Sequence, residues 1–243
     1  MSKYPLKIHH IKTIINQFSP KMLYGLFFKE RIYQSNFQKL LVQKDWHDLQ
    51  IKPRGYAANC SLLYFLLRVL HEKEPTTTLE LGSGQTTKLF FRYIEENSKA
   101  EALVLEENQD WYEHIKNDFV SDRFSYEYSP LQELVIEDKH VDWYSYNFND
   151  IIKQGKKFNL VLIDGPKGIR RFSRLGIVKY LYDIIDKDNF LIIFDDSSRK
   201  GEEDTIEYLL GIFDEKELQY AKYDLYGSKK QTCIASENYT IDI

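Results

Sequence analysis

Four short stretches of this chain put carboxylates or glycines directly after an apolar run. Glu80-Leu81-Gly82-Ser83-Gly84 closes Thr76–Leu81, Glu106-Glu107 follows 102–105, Asp164-Gly165-Pro166 follows 158–163, and Asp195-Asp196 follows 190–194. Gly82 and Gly84 permit a tight turn and close approach of a ligand to the backbone. Gln85, Thr86 and Thr87 open the next helix, whose free N–H groups favour anionic or carbonyl ligands. A dinucleotide fingerprint needs a further glycine at position 87, where this chain has Thr87. A carboxylate at Glu106 can accept two hydrogen bonds from a ribose diol. Glu107 competes for that role, and Glu106 is preferred because it directly follows the apolar run. Asp164, Asp195 and Asp196 repel one another strongly unless positive charge lies among them. Mg²⁺, a hard cation that takes oxygen ligands, meets that need; the alternative is that the aspartates cap loops or orient a substrate. After Asp164 come Lys167, Arg170, Arg171 and Arg174. Arg170 and Arg171 are assigned to an anionic acceptor such as a phosphate, a carboxylate or a sugar nucleotide.

These groups meet only if the intervening elements bring the run ends to one edge. Helical spacing over 62–69 precedes the Glu74-Pro75 breaker, and helices are predicted at about 86–96, 109–119, 169–185 and 202–213. Strands are predicted at 76–81, 102–105, 124–128, 158–163, 190–194, 218–225 and 231–236, the last two joined by a hairpin turn at Tyr226-Gly227-Ser228-Lys229. Runs 158–163 and 190–194 are apolar without alternation, as strands covered on both faces should be. The expected fold class is α/β: a doubly wound, mostly parallel seven-stranded sheet with a C-terminal antiparallel hairpin and an N-terminal helical extension. In such sheets ligands bind beyond the carboxyl ends of the strands, where all four polar clusters fall. The stretch 130–150, with His140, Trp143, Tyr144 and Tyr146, reads as irregular, its aromatics mainly core and its histidine structural. Cys60 reads as buried and inert.

Leu79–Gly84 with Thr86-Thr87, then Leu103–Glu106 with Asp110-Trp111-Tyr112 behind it, resembles the class I S-adenosylmethionine-dependent methyltransferases over about residues 56–243. The resemblance implies that Glu80, Gly82, Ser83, Gly84, Thr86 and Thr87 meet S-adenosylmethionine, that Glu106 holds its ribose, and that Leu131 and Gln132 line the adenine. Asp164 with Asp195-Asp196 is similar to the metal-dependent O-methyltransferases of the catechol, caffeoyl and macrolide-sugar types. It implies a Mg²⁺ site on those three aspartates, with Asp164 or Lys167 taking the proton of an acceptor hydroxyl. A sugar, glycan or small metabolite is the expected acceptor. A nicotinamide-dependent oxidoreductase and a catalytically silent binding module stand as alternatives.

The composition agrees with an enzyme of this class. The 243 residues are 43% hydrophobic with a net charge of −4, which fits one sizeable core and argues against nucleic acid as a partner. No apolar run reaches the ~18 residues of a membrane span. Two cysteines and no secretory leader lead us to expect a cytoplasmic protein. Residues 1–54 hold ten basic and three acidic side chains, so they are +7 against −11 for the rest. They are expected to form a helical extension to a catalytic domain at 55–243, with Pro20 opening a helix. Three roles are open for it: contact with an anionic membrane face through residues 1–50, a lid on the acceptor cleft, or homodimer pairing.

Overall fold

The computed structural model describes residues 20–53, 58–168 and 171–241. The apolar periodicity at residues 8–18, Arg170 and half of the turn expected at 52–55 therefore lie outside the described residues. Helix α1 (Pro20–Gln43) begins at Pro20 as expected, and α2 (Cys60–Glu72) is capped by Asn59, whose side chain accepts from the amide of Leu62 at 3.4 Å. There follow β1 (Thr77–Leu81), α3 (Gln85–Glu96), β2 (Glu101–Glu106), α4 (Gln109–Ile115), β3 (Phe124–Tyr128), β4 (Leu131–Ile136), β5 (Lys139–Tyr144), α5 (Phe148–Lys153) and β6 (Leu160–Ile163). The chain continues through α6 (Leu181–Ile184), β7 (Leu191–Phe194), α7 (Lys200–Glu215), β8 (Ala221–Tyr226) and β9 (Lys230–Ala235).

The seven-stranded sheet has the order β3-β2-β1-β6-β7-β9-β8, with β9 antiparallel to both its neighbours and every other pair parallel. Its two faces carry separate cores. Leu160, Leu162, Leu191 and Ile193 pack against α2 and α3 residues such as Leu66 and Phe90, while Val161, Ile163, Ile192 and Phe194 pack with Ile177, Leu181 and Leu209. Both faces being covered explains the unbroken apolar runs. Each such fully buried aliphatic side chain contributes about 2 kcal/mol. The basic N-terminal segment shares the first core. Phe37, Leu41 and the fully buried Trp46 sit in it, and the Trp46 indole N–H donates to Glu96 at 2.8 Å.

Two expectations are corrected. The stretch 130–150 is not irregular: β4 and β5 form an antiparallel hairpin of their own, with Val135 opposite His140, and α5 follows. The helix expected over 169–185 is absent as one element. The segment instead holds a 3₁₀ turn at Leu175–Lys179 and the short α6. The cause is tertiary. Phe172 takes a left-handed φ of 67°, and Gly176 passes so close to the indole of Trp143 that a Cβ there would lie 2.1 Å from the ring. Burial of Arg174 and contact with Trp143 outweigh helical propensity at this point.

Candidate active site

The sheet order makes β1 and β6 neighbours while the chain continues from β1 to β2 on the other side. This is the reversal of strand order at which open α/β sheets form a crevice. The loops leaving β1 and β6 meet there, backbone to backbone. Gly82 has φ 84° and donates its amide to Leu105 at 2.9 Å. A Cβ on Gly82 would stand 2.9 Å from the Gly165 nitrogen, and one on Gly165 would stand 2.8 Å from the Gly82 nitrogen and 2.1 Å from the Tyr144 hydroxyl. Side chains are excluded at both positions, so the glycines are required by the crossing itself.

Around the first loop lie two buried carboxyl groups. Glu106 accepts from the Ser83 amide at 2.9 Å and the Ser83 hydroxyl at 2.6 Å with one oxygen, and from the Asn108 amide at 2.8 Å with the other. The same hydroxyl lies 2.9 Å from the Tyr126 hydroxyl, in an aromatic group with Tyr112 and Tyr128. Glu107 points its contacts elsewhere, accepting from the Lys167 amide at 3.0 Å and from Tyr144 at 3.4 Å. Of the two acids, Glu106 is therefore the one at the glycine loop. Glu80, 1% exposed, accepts from the Thr86 hydroxyl, and its other oxygen has no partner. Burial pushes its carboxyl up to about 8, against the hydrogen bond from Thr86 that acts the other way. Gly84 has nothing within 4 Å of the position a Cβ would take. An orphaned buried carboxyl oxygen near an open backbone position suits a ligand bearing positive charge and N–H or O–H donors. Thr86 and Thr87 are buried and bonded within the protein; the Thr87 hydroxyl accepts from the Gly84 amide at 2.8 Å and so shapes the loop.

The second half of the crevice holds Asp164, Asp195 and Asp196, which bring one oxygen each within 4.8 Å of one another. Three cations surround them. The Lys229 ammonium is 3.2 Å from Asp195 and 3.5 Å from Asp196, Arg199 pairs with Asp196, and Arg174 reaches Asp164 at 3.1 Å. The Gln231 amide donates to the other Asp195 oxygen at 2.7 Å. Asp195 is fully buried, yet Lys229, Gln231 and Arg174 hold its pKa below the ordinary value. Asp164 goes the other way, up to about 7, through burial and the charge of Asp195. It is also the most open of the three, with 29% of its side chain exposed against 14% for Asp196.

Arg174 is 2% exposed and works as a staple. Its guanidinium donates to the carbonyls of Ile163 at 3.2 Å, Pro166 at 3.4 Å and Asp195 at 2.7 Å, and to that of Asp164, so it ties the ends of β6 and β7 together. Glu202, also buried, lies 3.6 Å away.

The structure thus gathers Glu80, Gly82, Ser83, Gly84, Glu106, Asp164, Asp195 and Asp196 at one sheet edge. Lys167 stands on the β6 loop, exposed; among the described residues the lysine in the aspartate cluster is Lys229 instead. Arg171 is 61% exposed and pairs with Asp204 at 2.6 Å. Leu131 and Gln132 start β4 and are exposed, and His140 meets Glu133 on the outer hairpin at 2.8 Å. Sequence reasoning misses the site roles of Lys229, Arg174, Gln231 and Tyr126. Lys229 has a signal: β9 runs antiparallel beside β7 with Phe194 opposite Thr232, so the hairpin turn falls beside Asp195-Asp196. The sequence marks Arg174 only as one of the basic residues after Asp164; its role follows once β6 and β7 are neighbours, because its partners lie at the ends of both.

No family model and no curated protein matches the sequence. Solved structures do. An O-methyltransferase from Bacillus cereus in complex with SAH superposes with a TM-score of 0.57 at 12% identity, over 88% of this chain and 100% of that one. The fold is that of the class I methyltransferases. A SAH-bound methyltransferase from Podospora anserina gives a TM-score of 0.51 at 15% identity, covering 98% of this chain and 99% of its own. The C-terminal hairpin that carries Lys229 belongs to this methyltransferase-fold sheet. No described helix is long and apolar enough to cross a membrane.

Proposed function

We propose that this protein transfers the methyl group of S-adenosylmethionine to a hydroxyl of a sugar, glycan or small metabolite. The observation that carries the reading is the pairing, at the reversal of strand order, of an open glycine loop between the buried acids Glu80 and Glu106 with Asp164 on the adjoining loop. When bound, S-adenosylmethionine supplies a methyl group on an activated sulfonium leaving group. Glu106 would hold the ribose hydroxyls, and Gly82, Ser83 and Gly84 would present backbone to the amino-acid end. Glu80, with its free oxygen, would meet positive charge. What remains for the protein is to position the acceptor and take its proton. Asp164 suits proton removal because it is the most open acid of the cluster, and its pKa of about 7 lies near the operating pH of a general base. Lys167 is the second candidate on the same loop. Arg171, with Arg170 before it, is the proposed contact for an anionic acceptor. That role predicts a raised KM for a sugar nucleotide, and not for a neutral sugar, in Arg171→Ala.

Mg²⁺ assistance through Asp164, Asp195 and Asp196 is the other half of the expectation. The oxygens are close enough, but the donor set is already compensated. Lys229, Arg174, Arg199 and Gln231 take both oxygens of Asp195 and Asp196 and one of Asp164. Mg²⁺ would have to displace Lys229 to enter, so the residues as arranged do not fit it.

Calorimetric titration with S-adenosylmethionine and with NAD tests the reading, followed by a labelled-methyl screen over sugar nucleotides, glycans and phenols. Saturable S-adenosylmethionine binding weakened by Glu106→Ala is the expected result. NAD binding alone would move the chain to the oxidoreductases, and binding of neither would make it a silent module.

A further inference from the structure

We infer that Lys229 is a resident cation standing where Asp164, Asp195 and Asp196 would otherwise admit a divalent metal, so that this protein's cleft works without one. The inference deepens the proposed methyl transfer and rests on it for its activity arm alone. Its physical basis is charge and construction. Asp164, Asp195 and Asp196 form a compact acidic group that needs compensation. Lys229 supplies it from the turn between β8 and β9, with its ammonium between Asp195 and Asp196 and its side chain only 21% exposed.

The turn that carries Lys229 is held from several directions. Glu30 of α1 accepts from the Ser228 amide at 2.8 Å, and also from the amides of Cys60 and Ser61 at the start of α2. Asn59 donates to the Ser228 hydroxyl at 3.1 Å and to Glu30 at 3.2 Å. Gln231, just past the turn, donates to both Asn59 at 3.1 Å and Asp195 at 2.7 Å. Gly227 lies so close to this junction that a Cβ would fall 2.3 Å from both Glu30 and Ser61 oxygens. A surface lysine that swings onto an acid by chance has no such framework, and most such pairs contribute little. Here the ammonium is delivered to a fixed point, as a preorganised charge must be.

The test is Mn²⁺ binding followed by electron paramagnetic resonance on the full chain, with methyl transfer measured in parallel. Wild type is expected to show no Mn²⁺ binding that Asp195→Asn removes. Lys229→Met is expected to open the cluster and bind one Mn²⁺, lost again in Lys229→Met/Asp195→Asn. Transfer by wild type should be unchanged in EDTA; that of Lys229→Met should fall about tenfold or more and recover in part with Mn²⁺. Wild-type Mn²⁺ binding that depends on Asp195 overturns the inference, as does a folded Lys229→Met that binds none. If Lys229→Met melts out, Lys229→Gln carries the same measurement. A chain without methyl-transfer activity defeats the proposed function and leaves the Mn²⁺ result to decide the role of Lys229.

Discussion

Glu30 and Ser228 lie 198 positions apart and are joined by a hydrogen bond of 2.8 Å from the Ser228 amide to the Glu30 carboxylate. Through this contact the N-terminal helix fixes the turn of the C-terminal hairpin, and with it the charge balance of the cleft. The basic segment is therefore wired to the candidate active site, whatever else it meets. Glu30→Ala removes the acceptor for amides of Cys60, Ser61 and Ser228 at once. Hydrogen bonds to a charged group contribute about 2 kcal/mol, and a chain of this size loses about 3 °C per kcal/mol. The loss of one such bond corresponds to about 6 °C, so the loss of all three should lower the melting temperature by more than that, and Glu30→Gln, which keeps an acceptor oxygen, should recover part of it. Calorimetry of both variants checks this; equal melting temperatures for Glu30→Ala and wild type would show that the turn holds itself.

The sheet was legible because its strands are buried on both faces, so Phe158–Ile163 and Phe190–Phe194 read as unbroken apolar runs. The site was legible to the same depth: Glu80, Glu106, Asp164 and Asp195 each stand at a strand end, and strand ends can be counted along the chain. What lay hidden depends on contacts between distant segments. Leu131, Val135 and Glu133 are exposed, so β4 shows no clear inward apolar face to mark it as a strand. The residues at 169–185 have helical spacing, but the pull of Arg174 into the sheet edge and the closeness of Gly176 to Trp143 break the helix. Lys229 became a site residue only through the antiparallel register of β9 on β7.

Arg174 should be the most costly single cation to remove. It is buried, its partners are four backbone carbonyls and two acids, and Arg174→Ala would leave those carbonyls without their donor, with Asp164 and Glu202 deprived of their buried cation. Breaking a buried ion pair from one side costs about 3–5 kcal/mol. Arg174→Lys should recover little, because a point charge with three donors cannot span the ends of β6 and β7 as the planar guanidinium does. Urea unfolding of the two variants measures both. A loss below about 1 kcal/mol in Arg174→Ala would reduce the staple to a surface pair.

The protein without cofactor should lose stability as pH rises, and Glu80 supplies the sign. Its folded pKa of about 8 lies above the ordinary carboxyl value, so between the two the folded state binds a proton that the unfolded chain has released. That contribution is complete below the unfolded pKa and is lost as pH rises through about 8. Its size is on the order of 5 kcal/mol. Glu80→Gln, which cannot ionise and can still accept from Thr86, should flatten the decline of melting temperature between about pH 5 and pH 9. A wild-type profile as flat as that of Glu80→Gln would mean that the buried carboxyl finds compensation within the protein.

Gly84 and Gly165 separate the cost of a crowded fold from the cost of a crowded ligand. A methyl group on Gly165 meets the Gly82 backbone and the Tyr144 hydroxyl, whereas one on Gly84 meets no protein atom within 4 Å. Gly84 is also in extended backbone at φ 179°, which alanine adopts freely. Gly165→Ala should therefore push the two loops apart and lower both melting temperature and S-adenosylmethionine affinity. Gly84→Ala should cost about 1 kcal/mol or less of stability, the difference between the two residues as a helix cap. If the cofactor lies against this backbone, the same methyl group should weaken its binding about tenfold or more, since a clash of this kind costs at least as much as a lost methylene in a fitted pocket. Paired melts and titrations give the answer. Unchanged S-adenosylmethionine affinity in a well-folded Gly84→Ala would place the cofactor away from this loop and take with it the roles assigned to Ser83 and Glu106.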